Sequence, residues 1–231
     1  LATKYGAAYV VDGCQAVGQI PVDVASLNCD VYTGSGRKWL RGPRGTAFLY
    51  VRPESPFRTP QVDLASADLA ESHQALPVRA DLVLEDGIVV GVDVRGDGRQ
   101  FELWERSVAG FLGLGVALSQ YERIGAAQTG MIEAQANRLR AVVSANPRMN
   151  LIGHVQAPTG IIGFYLSDPT LEDELQESFN QAGLVISTMA DWDCPLHFPK
   201  NGATRIFRLS PHFNTEPETI DLAEHVIDQF R

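Results

Sequence analysis

The sequence has no apolar run approaching the about 20 residues that a bilayer-spanning helix needs. Its opening, "LATKYGAAYVVDG", does not show a basic start, an apolar core and a cleavage site in that order, so no secretory leader is read there. Cysteine is scarce. Cys14, Cys29 and Cys194 are an odd number at irregular spacing, which builds no disulfide framework. These absences lead to the expectation of a cytoplasmic protein without a membrane partner. Histidine is scarce too, and His154, His197 and His212 stand at no spacing that suits a metal ion. Positive charge is in deficit: 19 Lys and Arg face 28 Asp and Glu, the net charge is −9 and the pI is about 5.0. A chain this acidic offers no general basic face, so nucleic acid and anionic membranes are not expected as partners. Internal repeats and low-complexity stretches are missing as well.

What is present is enough apolar residue for a core. The chain has 231 residues, 45% of them hydrophobic and 20% charged, which suits one or two domains. The runs "AAYVVDGCQAVG", "CDVYTGSG" and "GTAFLYVR" read as short strands, each next to turn residues. The first is apolar throughout, as in a parallel sheet covered on both faces. "VVGVDVRGDGRQFE" alternates and then turns. Residues 107–125 read as a long apolar helix whose glycines imply close packing, and 131–146 as a second, amphipathic helix closed by Asn146-Pro147. Further on, "GIIGFYLS", "LVIST" and "TRIFRLSP" read as strands. Residues 169–183 read as an acidic helix stopping at Gly183. Residues 215–230 read as a last helix, with Thr215 as N-cap and Glu218 three residues on. Strands alternating with helices give an α/β fold class, with a domain boundary near residue 127.

The positive charge that exists is concentrated. "YTGSGRKWLRGPRGTAFLYVR" holds Arg37, Lys38, Arg41, Arg44 and Arg52. Lys38 follows the second strand, while Asp12 and Gln15 follow the first. In parallel α/β sheets ligands gather at the carboxyl ends of strands, which is where these three residues fall. A carboxylate and a lysine meeting there suit pyridoxal phosphate: the lysine forms a Schiff base and the carboxylate keeps the ring nitrogen protonated. Ser35 and Arg37 flank the lysine and suit a phosphate dianion.

Three segments in this order, "VVDGCQAVGQIPVDV", "DVYTGSGRKWLRGPRGTAFLYVR" and "RLSPHFNTEPETIDL", resemble successive signatures of the class V aminotransferase family, which are fold-type-I pyridoxal-phosphate enzymes. The resemblance covers essentially the whole chain but only the later part of a family member, so the chain is expected to be an N-terminally truncated one. It implies that residues 1–127 are the C-terminal part of the mainly parallel-sheet large domain, and 128–231 a smaller α+β domain. It also implies a homodimer. Residue by residue, Asp12 matches the partner of the pyridine nitrogen, Gln15 the partner of the ring hydroxyl, Ser35 the phosphate-binding serine and Lys38 the Schiff-base lysine. Arg208 matches the arginine that grips the substrate carboxylate. Arg37 stands where cysteine desulfurases often have histidine. That departure, with "FELWE" before the helix, favours a C–S lyase or epimerase-like member; desulfurase and aminotransferase are close alternatives. Many relatives carry a Gly-Thr-Pro whose threonine reaches the partner subunit's phosphate, and nothing here matches it. The resemblance also implies an earlier segment with a phosphate-cradling loop and a ring-stacking residue.

Plainer readings stand beside these. Lys38 is an ordinary surface lysine if its flanking motifs mean nothing. Asp12 then caps a helix and Arg208 serves a structural ion pair. Arg41 and Arg44 form a solvated loop or assist an anion. Cys194 lies in the region where desulfurases place a nucleophile, but Asp191 and Asp193 work against a reactive thiolate, and a chance cysteine is the expectation. Cys14 and Cys29 read as core. A non-catalytic structural or interaction module is the alternative from another class.

Overall fold

The apolar run before Asp12 forms β1 (Val10–Asp12), and Asp23 caps the short helix α1 (Val24–Leu27) through its carboxylate and the Ala25 N–H, 3.0 Å apart. Strands β2 (Val31–Ser35) and β3 (Ala47–Val51) follow. The computed structural model describes residues 1–53, 55, 80–86, 88–94, 101, 106–196, 198 and 202–231. Strand β1 pairs with β2 in parallel and β2 with β3 antiparallel, so the described sheet is mixed. Buried Asp30 ties all three strands together. It accepts the Tyr9 N–H at 2.8 Å ahead of β1 and pairs with Arg52 beyond β3. Its carboxyl lies below the ordinary range, first because of the Tyr9 N–H.

Strands β4 (Ala80–Glu85) and β5 (Ile88–Val94) form an antiparallel hairpin with a register shift between Val83 and Leu84. The alternating part of "VVGVDVRGDGRQFE" falls on β5. Residues 95–100, read as its turn, lie outside the described residues, as do four residues of the "FELWE" segment, 102–105, and His197.

Helix α2 (Val108–Ala145) corrects the two-helix reading: it is one element of 38 residues. Gly125 and Gly130 each cost about 1 kcal/mol relative to Ala. No proline interrupts the span, and Ile132, Ala136, Leu139 and Val143 are buried at helical spacing, which outweighs that cost. The close packing read from the glycines is present. A Cβ on Gly113 would lie 2.6 Å from Pro43 Cγ. The helix ends before Asn146, whose amide donates to the Ile227 carbonyl at 2.8 Å while its oxygen accepts the Arg148 N–H at 2.9 Å.

The remaining elements are β6 (Met149–Ile152), β7 (Ile162–Leu166), α3 (Glu172–Gln181), β8 (Ser187–Met189), β9 (Ile206–Leu209) and α4 (Pro217–Gln229). Strand β6 was not foreseen. The four strands form one antiparallel sheet in the order β6-β7-β9-β8. One face carries Ile162, Phe164, Phe207 and Leu209 against buried residues of α2, α3 and α4, and the Phe164 and Phe207 rings stack at 5.7 Å. Helix α3 stops where Gly183 takes φ +71°, as read from the sequence. Thr215 does not cap α4. The N-cap is Glu216 with no side-chain bond, because Pro217, whose fixed φ suits the first helical position, starts the helix later. The Thr215 hydroxyl oxygen instead accepts the His212 N–H at 2.8 Å.

The chain divides into two compact units, Leu1–Val17 with Val22–Ser119, and Gly18–Pro21 with Gln120–Arg231. The short inserted segment is held within the second unit by buried glutamines. Gln128 donates to the Gly18 carbonyl, and Gln19 accepts the Gly160 N–H at 2.7 Å. Among the described residues no helix is long and apolar enough to cross a membrane.

Gly130 is exposed, with open space where a Cβ would go. Gly130→Ala should therefore raise stability by about 0.5–1 kcal/mol, measured by denaturant unfolding. No gain, or a loss, would mean that α2 is interrupted there.

Candidate functional site

Asp12 is the last residue of β1 and lies opposite Thr33 of β2. The parallel pairing sends both chains out at the same end of the sheet. The turn from Gly13 to Gln15 therefore runs beside the turn from Gly36 to Gly42. The ladder continues one step further through the Gly13 N–H to the Thr33 carbonyl, 2.9 Å.

Glycines make this juxtaposition sterically possible. A Cβ on Gly13 would lie 1.9 Å from Cζ of Tyr32, and one on Gly34 would lie 2.1 Å from Cζ of Phe48. The two rings stack nearly parallel, 6.4 Å apart, and Tyr32 is buried. In the second turn Gly36 donates to the Thr46 carbonyl at 2.9 Å and accepts the Gly42 N–H at 2.7 Å. Its Cα faces Thr46 Oγ1 and Leu114 of α2 so closely that a Cβ would meet them at 2.3 and 2.8 Å. The Arg41 N–H bonds the Lys38 carbonyl at 2.9 Å, with Arg41 itself at φ +57°. A left-handed arginine costs on the order of 1 kcal/mol, which the surrounding turn bonds offset.

Trp39 and Leu40 are buried while Arg37 is exposed and Lys38 half-buried. The lysine is thus anchored through its neighbours while its amine stays reachable. Trp39 Nε1 donates to Gln15 Oε1 at 3.2 Å, joining the two turns directly. That bond fixes which end of the Gln15 amide is the oxygen.

Asp12 is held ionised. Its Oδ1 accepts the Cys14 N–H at 3.0 Å, and this bond is the largest cause of a carboxyl pKa below the ordinary range. The Lys38 charge and the Thr33 hydroxyl lower it further. The Cys14 thiol is pushed up by burial first and by Asp12 second, so it is a neutral thiol. Cys14 is only half-buried and belongs to this turn, which corrects its reading as core; Cys29 is fully buried.

Asp12, Gln15, Ser35, Arg37 and Lys38 therefore share one end of the first unit's sheet. Arg208 belongs to the second unit, on β9 between Gly163 of β7 and Ser187 of β8. Its Nε is buried without a hydrogen-bond partner among the described residues. Cys194 is half-buried and its thiol donates weakly to the Ala190 carbonyl at 3.9 Å. Sequence reading missed Trp39, Thr33 and Tyr32. The tryptophan next to the lysine was visible, but its reach to Gln15 depends on the pairing of β1 with β2.

The donor set is chemically specific: an ionised carboxylate, an amide of fixed orientation, a hydroxyl, a guanidinium and an amine. It complements a protonated ring nitrogen, a ring oxygen, a phosphate and an aldehyde, so the residues present fit pyridoxal phosphate.

Comparison with known proteins agrees. The family model described as aminotransferase class-V matches residues 1–222. A probable cysteine desulfurase of Methanothermobacter thermautotrophicus is 27% identical over 99% of this chain and 54% of its own length. An isopenicillin N epimerase of Amycolatopsis lactamdurans is 46% identical over 63 residues, 26% of this chain and 16% of its own. The crystal structure of an Escherichia coli cysteine desulfurase superposes with a TM-score of 0.71 at 20% identity, over 99% of this chain and 52% of that one. The chain thus spans about half the length of that desulfurase relative and of that structure.

The Asp12 titration tests the geometry. A depressed carboxyl contributes above its unfolded value of about 3.9 and loses that contribution as pH falls through the folded value. The Asp12 carboxyl signal in NMR should therefore be unchanged between about pH 5 and pH 8 and titrate below the ordinary range. Lys38→Met should move the midpoint upward. A midpoint that ignores the substitution would separate the two side chains.

Proposed function

Because the chain belongs to the class-V aminotransferase family, we propose that it carries the Lys38 part of the active site of a pyridoxal-phosphate enzyme acting on an amino acid. The observation that carries this reading is the placement of Asp12 across from β2, where the Lys38 charge helps to hold its carboxyl ionised. The bound cofactor supplies an electron sink beside the substrate α-carbon. Lys38 Nζ would hold the cofactor through its aldehyde and, once free, would serve as the base and acid that moves a proton at the substrate carbon. The Asp12 carboxylate retains a proton on the ring nitrogen. Gln15, fixed by Trp39, addresses the ring oxygen, while Ser35 and Arg37 hold the phosphate. Arg208 grips the substrate carboxylate, a role supported by its Nε, which is buried with no hydrogen-bond partner among the described residues.

We assign residues 1–127 to the large domain of the fold-type-I architecture and 128–231 to the small one, in a cytoplasmic homodimer. Within the family a C–S lyase or epimerase-like reaction is favoured by Arg37 and by the 46% identity with the epimerase. Cysteine desulfurase is the second reading, favoured by the relative that matches 99% of the chain. It requires a thiolate that takes sulfur, and Cys194 is the candidate.

Borohydride reduction of the cofactor-loaded protein should fix the cofactor on the peptide containing Lys38, seen by mass spectrometry. Lys38→Ala should lose that adduct and slow turnover by about 10²–10⁴-fold. A protein that takes up no cofactor and melts at the same temperature with and without it would instead be a structural module. Cys194→Ala divides the two reactions. Under the lyase reading it keeps C–S cleavage within about threefold, less than the 1.4 kcal/mol of a tenfold change. Under the desulfurase reading it abolishes sulfur transfer.

A further inference from the structure

We propose that Glu172 is a positioning residue for Arg208, fixing the register at which β9 presents that arginine; this rests on the reading of Arg208 as the grip on the substrate carboxylate. Glu172 opens α3 and is only 3% exposed. A carboxylate there is costly unless its oxygens are bonded. Its Oε1 accepts two backbone N–H groups, from Thr204 at 2.9 Å and Arg205 at 3.2 Å, and its Oε2 accepts the Thr204 hydroxyl. The adjacent Asp173 pairs with Arg205 at 2.7 Å, a more exposed contact.

These bonds act just upstream of the strand. The pairing of β9 with β8 begins at Ile206 and that with β7 at Phe207, so Thr204 and Arg205 precede both ladders. The side chain takes the place of a strand partner for them, its Oε1 accepting both backbone N–H groups. Arg208 follows within four residues. Along a strand, a slip of one residue exchanges the two faces. One face of β9 holds Phe207 and Leu209 in the core against Phe164. The other holds Arg208, whose Nε has no hydrogen-bond partner among the described residues. The backbone that presents it is clamped at its entry by Glu172.

The test uses the holoenzyme with Glu172→Ala, Glu172→Gln and Glu172→Asp. The readouts are KM and kcat, binding of propionate as a non-reacting carboxylate, and hydrogen exchange of residues 204–209. Glu172→Ala should raise KM and weaken propionate binding about tenfold, the equivalent of roughly one hydrogen bond. It should leave kcat within about threefold and speed exchange at Thr204 and Arg205. Glu172→Gln, which keeps Oε1, should restore near-normal values. Glu172→Asp keeps the charge but retracts the oxygens and should fall between. If Glu172→Ala does not fold, the Gln and Asp variants still decide. An Asp variant matching wild type while the Gln variant fails would make charge the cause and overturn the proposal. A lower melting temperature with unchanged KM and propionate binding would also overturn it, leaving a structural role only. Arg208→Ala binding propionate as tightly as wild type would instead remove the reading of Arg208.

Discussion

The ring of Tyr32 lies where any side chain at position 13 would have to be. Much of the candidate site depends on that contact. It lets β1 and β2 run side by side up to Asp12, and it brings the turn after Asp12 down onto the sheet. Phe48 repeats the arrangement over Gly34 and stacks on Tyr32. Two aromatic rings thus occupy the space over two bare Cα atoms, one in the turn after β1 and one in β2. Overpacking such a contact by one methyl group costs about 1–3 kcal/mol, and here the displacement falls next to the functional groups.

Charge then gives the arrangement its chemistry. The protein is acidic overall, yet Arg37, Lys38, Arg41 and Arg44 fall together after β2, and the Lys38 charge acts on Asp12. A backbone N–H is the first cause of that carboxyl's lowered pKa, ahead of the Lys38 charge. Asp30 obeys the same rule at the opposite end of the strands, where a backbone N–H and Arg52 together make a buried carboxylate tolerable. One carboxylate is spent on tying three strands, and the other remains exposed for a ligand.

Much of the site was legible because its logic is local. Asp12 and Ser35 end strands and Gln15, Arg37 and Lys38 follow in the turns, so their order along the chain already implied one end of a sheet. Asn146-Pro147 and Gly183 punctuate helices for reasons that need no tertiary knowledge. What was not legible depended on competition between signals or on pairing. Residues 107–125 and 131–146 read as two helices, but buried Ile132, Ala136, Leu139 and Val143 hold α2 as one despite Gly125 and Gly130. Thr215 had the chemistry of a cap, but Pro217 set the start of α4. Trp39 reaches Gln15, and Glu172 reaches Thr204, only once strand order and helix packing are fixed. The antiparallel direction of β3 was likewise invisible in its composition, since an apolar run carries no arrow.

The central claim is that Asp12 stands ionised against the ring nitrogen of a cofactor held by Lys38. The most direct measurement is the nitrogen-15 NMR shift of a ring-labelled cofactor in the holoprotein at neutral pH, in wild type and in Asp12→Asn. The account predicts a protonated ring nitrogen in wild type and an unprotonated one in the variant. A nitrogen with the same shift in both proteins would contradict it.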